Sequence, residues 1–373
     1  MEPVIKTAVA DPVLTDRNFV VKGYGAPGGL FGGKTLELMQ IEREQPKDDE
    51  VMIEVLYCGV SRSDIHHVSN RWKNTIYPCV PGHEIIGKVI KAGAGVTKYK
   101  RGDMVGVGSI IDSCGHCEPC KKGEEQYCQG PQGATLTYNG YFKTDGRDSN
   151  TFGGYSTHLV VKEDFVLRIP ADMDPAAAAP ILCAGVTVYS ALKRWNIKQG
   201  EHVGIAGIGG LGHIAIMMAK AMGAYVVAIT TKEEKRRAAL LLGADEVLVS
   251  ENEAEMQSHE MRFDYILCTV PDSFDINPYI CLLNWRGVLV SVGLMGAYRQ
   301  ATDNMELVRM GRSVAGSLSG GIAETQEALE FCARHHILPQ VQMINIQDIN
   351  DAFERVKDDE VRFRYVIDMQ SLK

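Results

Sequence analysis

Val203-Gly-Ile-Ala-Gly-Ile-Gly-Gly-Leu-Gly-His213 is the stretch that decides how this chain folds. Val203 to Ala206 reads as a buried strand, and Gly212 to Met222 reads as an apolar helix. Gly207, Gly209, Gly210 and Gly212, with Leu211 between them, therefore form the turn of a strand–turn–helix unit. Glycines at these positions allow a tight turn, close backbone approach to a pyrophosphate, and close helix–strand packing. The helix N-terminus adds amide donors and a positive dipole end for phosphate.

Reading downstream, Tyr225–Thr230 is a second strand and Glu233–Leu242 a charged helix. Further strands lie near Glu246–Val249, Tyr265–Cys268 and Val288–Val292, and a last one begins at Val314. Strands alternating with helices of this length predict a doubly wound parallel sheet, an α/β fold. The end of the second strand selects the nicotinamide cofactor. An NAD-type fold places an acidic residue there for the ribose 2′-hydroxyl. This chain has Thr230-Thr231-Lys232, followed by Lys235, Arg236 and Arg237. Hydroxyls and cations suit a 2′-phosphate, which makes NADP(H) the expected cofactor.

The region upstream is different in texture. Val51–Tyr57, Ile85–Gly93 and Met104–Val107 read as short β-branched strands bounded by turns, a β-rich unit distinct from the α/β one. With 373 residues, two domains are expected. A net charge of −8 leaves no basic field to collect nucleic acid or anionic lipid. The most apolar stretch, Val203 to Ile229, is interrupted by His213 and Lys220, so it reads as βαβ and not as a membrane span. The first residues, acidic and without an apolar core, do not read as a secretory signal. Ten cysteines in such a chain point to thiols and metal in a reducing compartment, the cytoplasm.

Cys114-Gly-His-Cys117-Glu-Pro-Cys120, with Cys128 eight positions further on, concentrates four thiols in fifteen residues. Four thiolates so spaced satisfy a closed, tetrahedral structural zinc site. Disulfides are a poor rival where thiols stay reduced, and an iron–sulfur cluster would need an electron-transfer role of its own. His116 lies within the cluster but is surplus to four ligands. Cys79, Cys268, Cys281 and Cys332 read as small packed hydrophobes.

Taken together, the motifs resemble the zinc-type medium-chain dehydrogenase/reductase family, in its cinnamyl-alcohol-dehydrogenase-like branch of NADPH-dependent aldehyde reductases. The matching stretches are Tyr57-Cys-Gly-Val-Ser-Arg-Ser-Asp-Ile-His66, Tyr77-Pro-Cys-Val-Pro-Gly-His-Glu84, the four-cysteine segment, Gly153-Gly-Tyr-Ser156, Pro180-Ile-Leu-Cys-Ala-Gly185, the glycine turn, and Gly320-Gly-Ile-Ala-Glu-Thr-Gln326. The resemblance implies a GroES-like catalytic domain from residues 1–178 and 323–373, with a Rossmann cofactor domain at 179–322. It also implies a homodimer acting on a small aldehyde or alcohol. Ser63 falls where the family's hydroxyl relays a proton to the substrate oxygen, and His66 where an imidazole passes that proton towards solvent. Arg62 is placed to contact the cofactor pyrophosphate or to enter a salt bridge. Asp64 reads as structural. Trp72, in the Arg71–Tyr77 loop, is expected to shape the substrate mouth. His67, His335 and His336 match no motif and read as surface residues.

One departure matters. The family holds a catalytic zinc with two cysteines and a His-Glu pair. His83, Glu84 and Cys183 match three of these ligands, but Ser61 stands at the position of the fourth. Cys58 sits three residues too early. A serine hydroxyl is a far weaker zinc ligand than thiolate, so occupancy of the catalytic site is left open. Three alternatives follow: zinc-assisted reduction of aromatic and aliphatic aldehydes, zinc-independent conjugate reduction of unsaturated aldehydes or iminiums, and a catalytically impaired nucleotide-binding protein.

Overall fold

A computed structural model describes residues 18–28, 35–144, 147–294, 296–358 and 363–372. The N-terminal residues read above for a secretory signal lie outside the described residues. Two sheets organise the chain. The parallel sheet has six strands in the order Glu246–Val249, Tyr225–Thr230, His202–Ala206, Phe263–Cys268, Leu283–Ser291 and Ser313–Gly316. In chain order that is 3-2-1-4-5-6, the doubly wound arrangement expected from the alternating pattern. Its central strands are continuous apolar runs because helices cover both faces. Val203, Ile205, Val226, Val227 and Ile266 are fully buried. The helices Ala184–Arg194, Gly212–Ala221 and Ile322–Arg334 contribute to the core on one face. On the other face, Phe263, Ile280 and Leu283 anchor a second cluster.

The first sheet is antiparallel for most of its width. Met104–Val107, Ile85–Ala92 and Glu50–Gly59 lie side by side, and His158–Lys162 also pairs with Glu50–Gly59. Its other edge comes from the far end of the chain. Arg364–Asp368 pairs antiparallel with Glu50–Gly59, and Val341–Asn345 pairs parallel with Arg364–Asp368. Residues from both ends therefore share one core, in which Ile53, Val55, Ile85, Tyr155 and Ile367 are almost completely buried. Among the described residues no single helix is long and apolar enough to cross a membrane.

The strand order of the parallel sheet reverses between His202–Ala206 and Phe263–Cys268, and the loops after those two strands open a crevice there. Gly207 starts the first loop at φ +92°, a left-handed conformation that favours glycine. Gly212 ends it so close to the turn that an added Cβ would lie 1.8 Å from the Gly207 carbonyl oxygen. The expected charged helix after Thr230 is shorter than its pattern suggested. Glu233–Lys235 forms a 3-10 turn, and the α-helix runs only from Arg236 to Leu241.

The parallel core makes a direct test. Ile205→Ala, at a fully buried site, is expected to cost about 2–5 kcal/mol. Leu241→Ala, at a position 78% exposed, is expected to stay within about 0.5 kcal/mol. Urea unfolding of the two variants checks the contrast.

Candidate active site

The site is built on the short helix Arg62–Val68, which follows directly from the strand Glu50–Gly59. Ser61 is its N-cap, with its hydroxyl accepting from the Ser63 amide at 3.4 Å. Asp64 reaches back to accept from the Ser61 amide at 2.8 Å, which closes a capping box. With its first turn tied in this way, the helix lines a cavity of about 270 Å³ with Arg62, Ser63, His66 and His67. Ser61, His83 and Cys183 line the same cavity, and its remaining wall is mainly apolar, including Trp72, Ile110 and Val292.

His83, Glu84 and Cys183 converge, with one ligand atom of each within 4.8 Å of the others. His83 Nε2 lies 3.1 Å from Cys183 Sγ, while its Nδ1 lies 3.2 Å from Asp64 Oδ1. A carboxylate behind the second ring nitrogen is how metal-binding imidazoles are oriented. Asp64 is wholly buried and also accepts from Tyr155 Oη at 3.2 Å and from the Gly82 amide at 3.3 Å. Burial alone would raise its carboxyl, but His83, the Ser61 amide and Tyr138 hold it below the usual range. Glu84 is fully buried and burial pushes its carboxyl up, against the pull of Arg364 and His83. Arg364 stands 3.2 Å from Glu84, yet neither Glu84 oxygen makes a hydrogen bond within the protein. The strand leaves room for this carboxylate only because residue 59 is glycine: a Cβ there would lie 1.9 Å from Glu84 Oε2.

An imidazole and a thiol lining one cavity, with a buried carboxylate of unsatisfied oxygens converging on them from behind its wall, fit a zinc ion with an open position. Ser61 borders the same cavity, but its hydroxyl already serves the helix cap. Cys58 is fully buried in the first sheet opposite Ile85, where its sulfur packs against Gly82 and Gly154. It is not part of the converging group.

Beside this cavity runs a second one of about 220 Å³, lined by Gly207, Gly209, Gly210, Leu211, Thr230, Thr231 and Lys235. Arg62, Leu211, Thr269, Pro271 and Arg364 border both. Gly212 does not line the groove; it supports the turn from beneath by its close approach to Gly207. Lys235 donates to the Ile208 carbonyl at 3.1 Å. Arg236 is turned away into ion pairs with Glu233 and Glu255. Arg62 donates to the Val356 carbonyl at 2.9 Å and faces Asp272 at 3.7 Å. His213, which follows the glycine turn, is missed by the motif. It donates from Nδ1 to the Gly209 carbonyl at 3.0 Å, and its ring stacks on Phe363 at 4.7 Å.

The four cysteines also come together, their sulfurs within 4.8 Å of one another and none in a disulfide. Backbone amides point at them, Cys114 N and Gly130 N to Cys128 Sγ, Cys117 N to Cys114 Sγ, and Gln129 N to Cys117 Sγ, each at 3.4 Å. Hydrogen bonds from Gln129 and the Cys120 amide pull the Cys117 thiol down to about 6, towards the thiolate that zinc needs. This arrangement fits a closed tetrahedral site. His116 is exposed and contacts the Cys114 carbonyl through Nδ1 at 2.6 Å.

One sequence reading fails here. His67 is not a surface residue: it is 6% exposed and lines the cavity. Its helix position put it one residue from His66, and only the fold shows that Trp72 and Tyr138 close over it, at 4.8 and 5.1 Å. His335 and His336 are exposed as read. Arg364 and Tyr138 are also missed, since each reaches the site from a distant part of the chain.

Fold and site together define a zinc-type dehydrogenase. Models of the alcohol dehydrogenase GroES-like domain and of the zinc-binding dehydrogenase match residues 47–171 and 210–334. Aldehyde reductase YahK of Escherichia coli is 47% identical over 348 residues, 93% of this chain and 98% of that protein. A probable cinnamyl alcohol dehydrogenase of Populus deltoides is 44% identical over 328 residues, 87% and 90% of the two chains. Among solved structures, a cinnamyl alcohol dehydrogenase of Sorghum bicolor superposes with a TM-score of 0.89 at 38% identity, covering 94% of this chain and 98% of its own. The Helicobacter pylori enzyme, solved with NADP(H), gives 0.85 at 36% identity, covering 94% and 98%. The chain belongs to the zinc-type medium-chain dehydrogenase/reductase family, in its cinnamyl-alcohol-dehydrogenase-like branch, and is an oxidoreductase.

Asp64→Asn is expected to weaken zinc at His83, Glu84 and Cys183 by about 10–100-fold while leaving the four-cysteine metal in place. Competition with a graded chelator series reads both. Burial holds His66, His67 and His213 at about 4 against an ordinary 6.5. Their neutral forms favour the folded chain, so the stability they contribute is complete above pH 6.5 and is lost as the pH falls towards 4. The melting temperature is expected to fall over that window, and to fall less in His213→Gln.

Proposed function

We propose that the chain reduces aldehydes, aromatic and aliphatic, to primary alcohols with NADPH, and runs the reverse reaction when alcohol is in excess. The observation that carries this reading is the adjacency of the His83, Glu84 and Cys183 donor set to the glycine-turn groove, through a wall of five shared residues. NADP-dependent relatives and the NADP(H)-bound Helicobacter pylori enzyme support the choice of cofactor. Bound in the groove, NADPH supplies the hydride for the carbonyl carbon. Zinc at the three ligands supplies Lewis-acid polarisation of the carbonyl oxygen.

The chain's own residues do the rest. Gly207, Gly209, Gly210 and Leu211 let the backbone approach the pyrophosphate, and Gly212 packs beneath the turn that does so. Arg62 supplies a cation on the border between groove and cavity. Thr230, Thr231 and Lys235 receive the 2′-phosphate, where a carboxylate would repel it. Ser63 gives a proton to the oxygen as the carbonyl becomes an alcohol, and His66 replaces it. His66 is neutral at pH 7, because burial, then Arg71 and Arg62, hold its pKa at about 4. A neutral imidazole accepts on one nitrogen while releasing from the other. Trp72 and its apolar neighbours exclude water from the cavity.

The four-cysteine segment serves as a structural zinc lobe. Residues 1–178 and 323–373 act as the catalytic domain, and 179–322 as the cofactor domain. Ten cysteines free of disulfides support a reducing compartment, the cytoplasm. The edge strand Ser313–Gly316, beside the exposed Met305 and Val308, supports a homodimer. A net charge of −8 argues against nucleic acid or anionic membrane as a partner.

Protein purified without added metal is expected to hold two zincs per chain and to oxidise NADPH with benzaldehyde or hexanal. One zinc per chain, with turnover only of the C=C bond of an unsaturated aldehyde, would replace this reading by conjugate reduction. Tight NADPH binding without any turnover would leave a nucleotide-binding protein. Thr231→Asp is expected to lower the preference for NADPH over NADH by about tenfold or more, since that factor needs only ~1.4 kcal/mol. The ratio of kcat/KM values for the two cofactors measures it.

A further inference from the structure

Arg43 carries a buried cation that no carboxylate offsets. It lies on the strand Glu37–Glu44, two residues after the core residue Ile41 and so on the same face. Glu42 and Glu44 alternate to the other face, where Glu44 meets Lys47 at 3.3 Å. Burial pulls the guanidinium pKa down, and no charged neighbour among the described residues opposes it. A charge taken out of water is costly unless it is paired or hydrogen-bonded, so the bonds it makes are informative. Its Nη2 donates to the Phe152 carbonyl at 2.9 Å, the Gly153 carbonyl at 3.3 Å and Ser156 Oγ at 2.9 Å. Its Nε is buried and makes no hydrogen bond.

The opposite edge of the same segment supports the residues that lead into His83. The amides of Gly153, Gly154 and Tyr155 donate to the carbonyls of Val80, Gly82 and Pro81, at 2.7, 2.9 and 3.0 Å. The approach is close: a Cβ on Gly153 would lie 2.4 Å from the carbonyl oxygens of Gly82 and Pro81. A Cβ on Gly154 would lie 2.4 Å from the Ile85 side chain. His83 and Glu84 therefore stand between two points that rest on residues 153–154. Pro81 has no amide of its own with which to be held. Tyr155 adds a further link, through Oη to Asp64 at 3.2 Å, and Asp64 faces the His83 ring. With contacts this tight, a shift of residues 152–156 passes directly to His83.

We propose that Arg43 is a positioning residue for the metal ligand His83, acting through residues 152–156. The proposal rests on reading His83, Glu84 and Cys183 as zinc ligands. A guanidinium suits the task, because its planar fork presents donors in a fixed geometry and its charge strengthens each bond. A general loss of stability would weaken both metal sites together. Loss of a positioning residue weakens one, since none of these bonds reaches the four-cysteine lobe.

The test is a graded chelator titration that reads the two metal sites separately. Arg43→Met is expected to weaken the metal at His83, Glu84 and Cys183 by about tenfold, the lower end of what lost support of a ligand costs. The four-cysteine metal is expected to keep its wild-type midpoint. Val161→Ala truncates a buried residue of the same core, and is expected to lower the melting temperature while moving neither midpoint. In Arg43→Ala, millimolar guanidinium, far below denaturing concentrations, is expected to restore much of the lost affinity. Arg43→Lys keeps the charge without the fork, and is expected to fall between wild type and Arg43→Met even if the latter does not fold. Equal weakening at both sites, or no weakening at either, would overturn the proposal. If wild type holds metal in the four-cysteine lobe alone, the zinc-ligand reading fails separately. The imidazole nitrogen resonances of His83, assigned by their loss in His83→Gln, then decide. Identical resonances in wild type and the Arg43 variants would refute the positioning role, and shifted ones would uphold it.

Discussion

The site depends on one buried carboxylate. Asp64 is the N3 residue of a seven-residue helix, and it is simultaneously the partner of His83, Tyr155 and two backbone amides. A carboxylate removed from water is costly unless its oxygens are satisfied, and here the satisfaction is shared between structure and chemistry. The bond to the Ser61 amide fixes the start of the helix that carries Ser63 and His66. The bond to the Gly82 amide fixes the segment entering His83. The bond to His83 then fixes which imidazole nitrogen faces Cys183. Ser63, His66 and the converging His83 and Cys183 are thus held in one frame by a single buried group.

Around that frame, the two sheets divide the work. The parallel sheet offers a glycine turn at its switch point, and the first sheet offers the helix and the His-Glu pair at the end of its strands. Residues reaching across join the two. Arg364 lies in a strand of the first sheet, yet its guanidinium approaches the position where a side chain on Gly210 would start, at 3.1 Å. Phe363 beside it stacks on His213 of the cofactor turn. The glycine-turn groove and the His83, Glu84 and Cys183 group therefore meet at a seam, where small shifts of one sheet against the other alter the distance between them.

The parts of this arrangement that obey local rules were legible in the residues themselves. Apolar runs such as Val203–Ala206 can only be interior strands, and four cysteines within fifteen positions have few other uses. His83, Glu84 and Cys183 were readable because the resemblance to the family joins positions a hundred residues apart. What escaped has no local signature. His67 looks like a solvent-facing neighbour of His66 until Trp72 and Tyr138 are seen to cover it. Arg364 sits in an unremarkable strand whose meaning lies in its pairing with Glu50–Gly59. The misjudged helix after Thr230 has a different cause. Glu233–Lys235 is a 3-10 turn, across which Arg236 bonds back to Glu233 and out to Glu255, and the α-helix begins only at Arg236.

Ser61 carries a consequence of its own. Serine is among the best residues for starting a helix, and replacing such a cap typically costs about 1 kcal/mol. The same hydroxyl borders the metal ligands, where sulfur would bind zinc more firmly. Tight metal capture and a well-anchored relay helix thus make opposing demands on a single side-chain atom. A chain with serine here has settled that competition in favour of the scaffold: the start of the helix is capped, and His83, Glu84 and Cys183 converge without a second thiolate beside them.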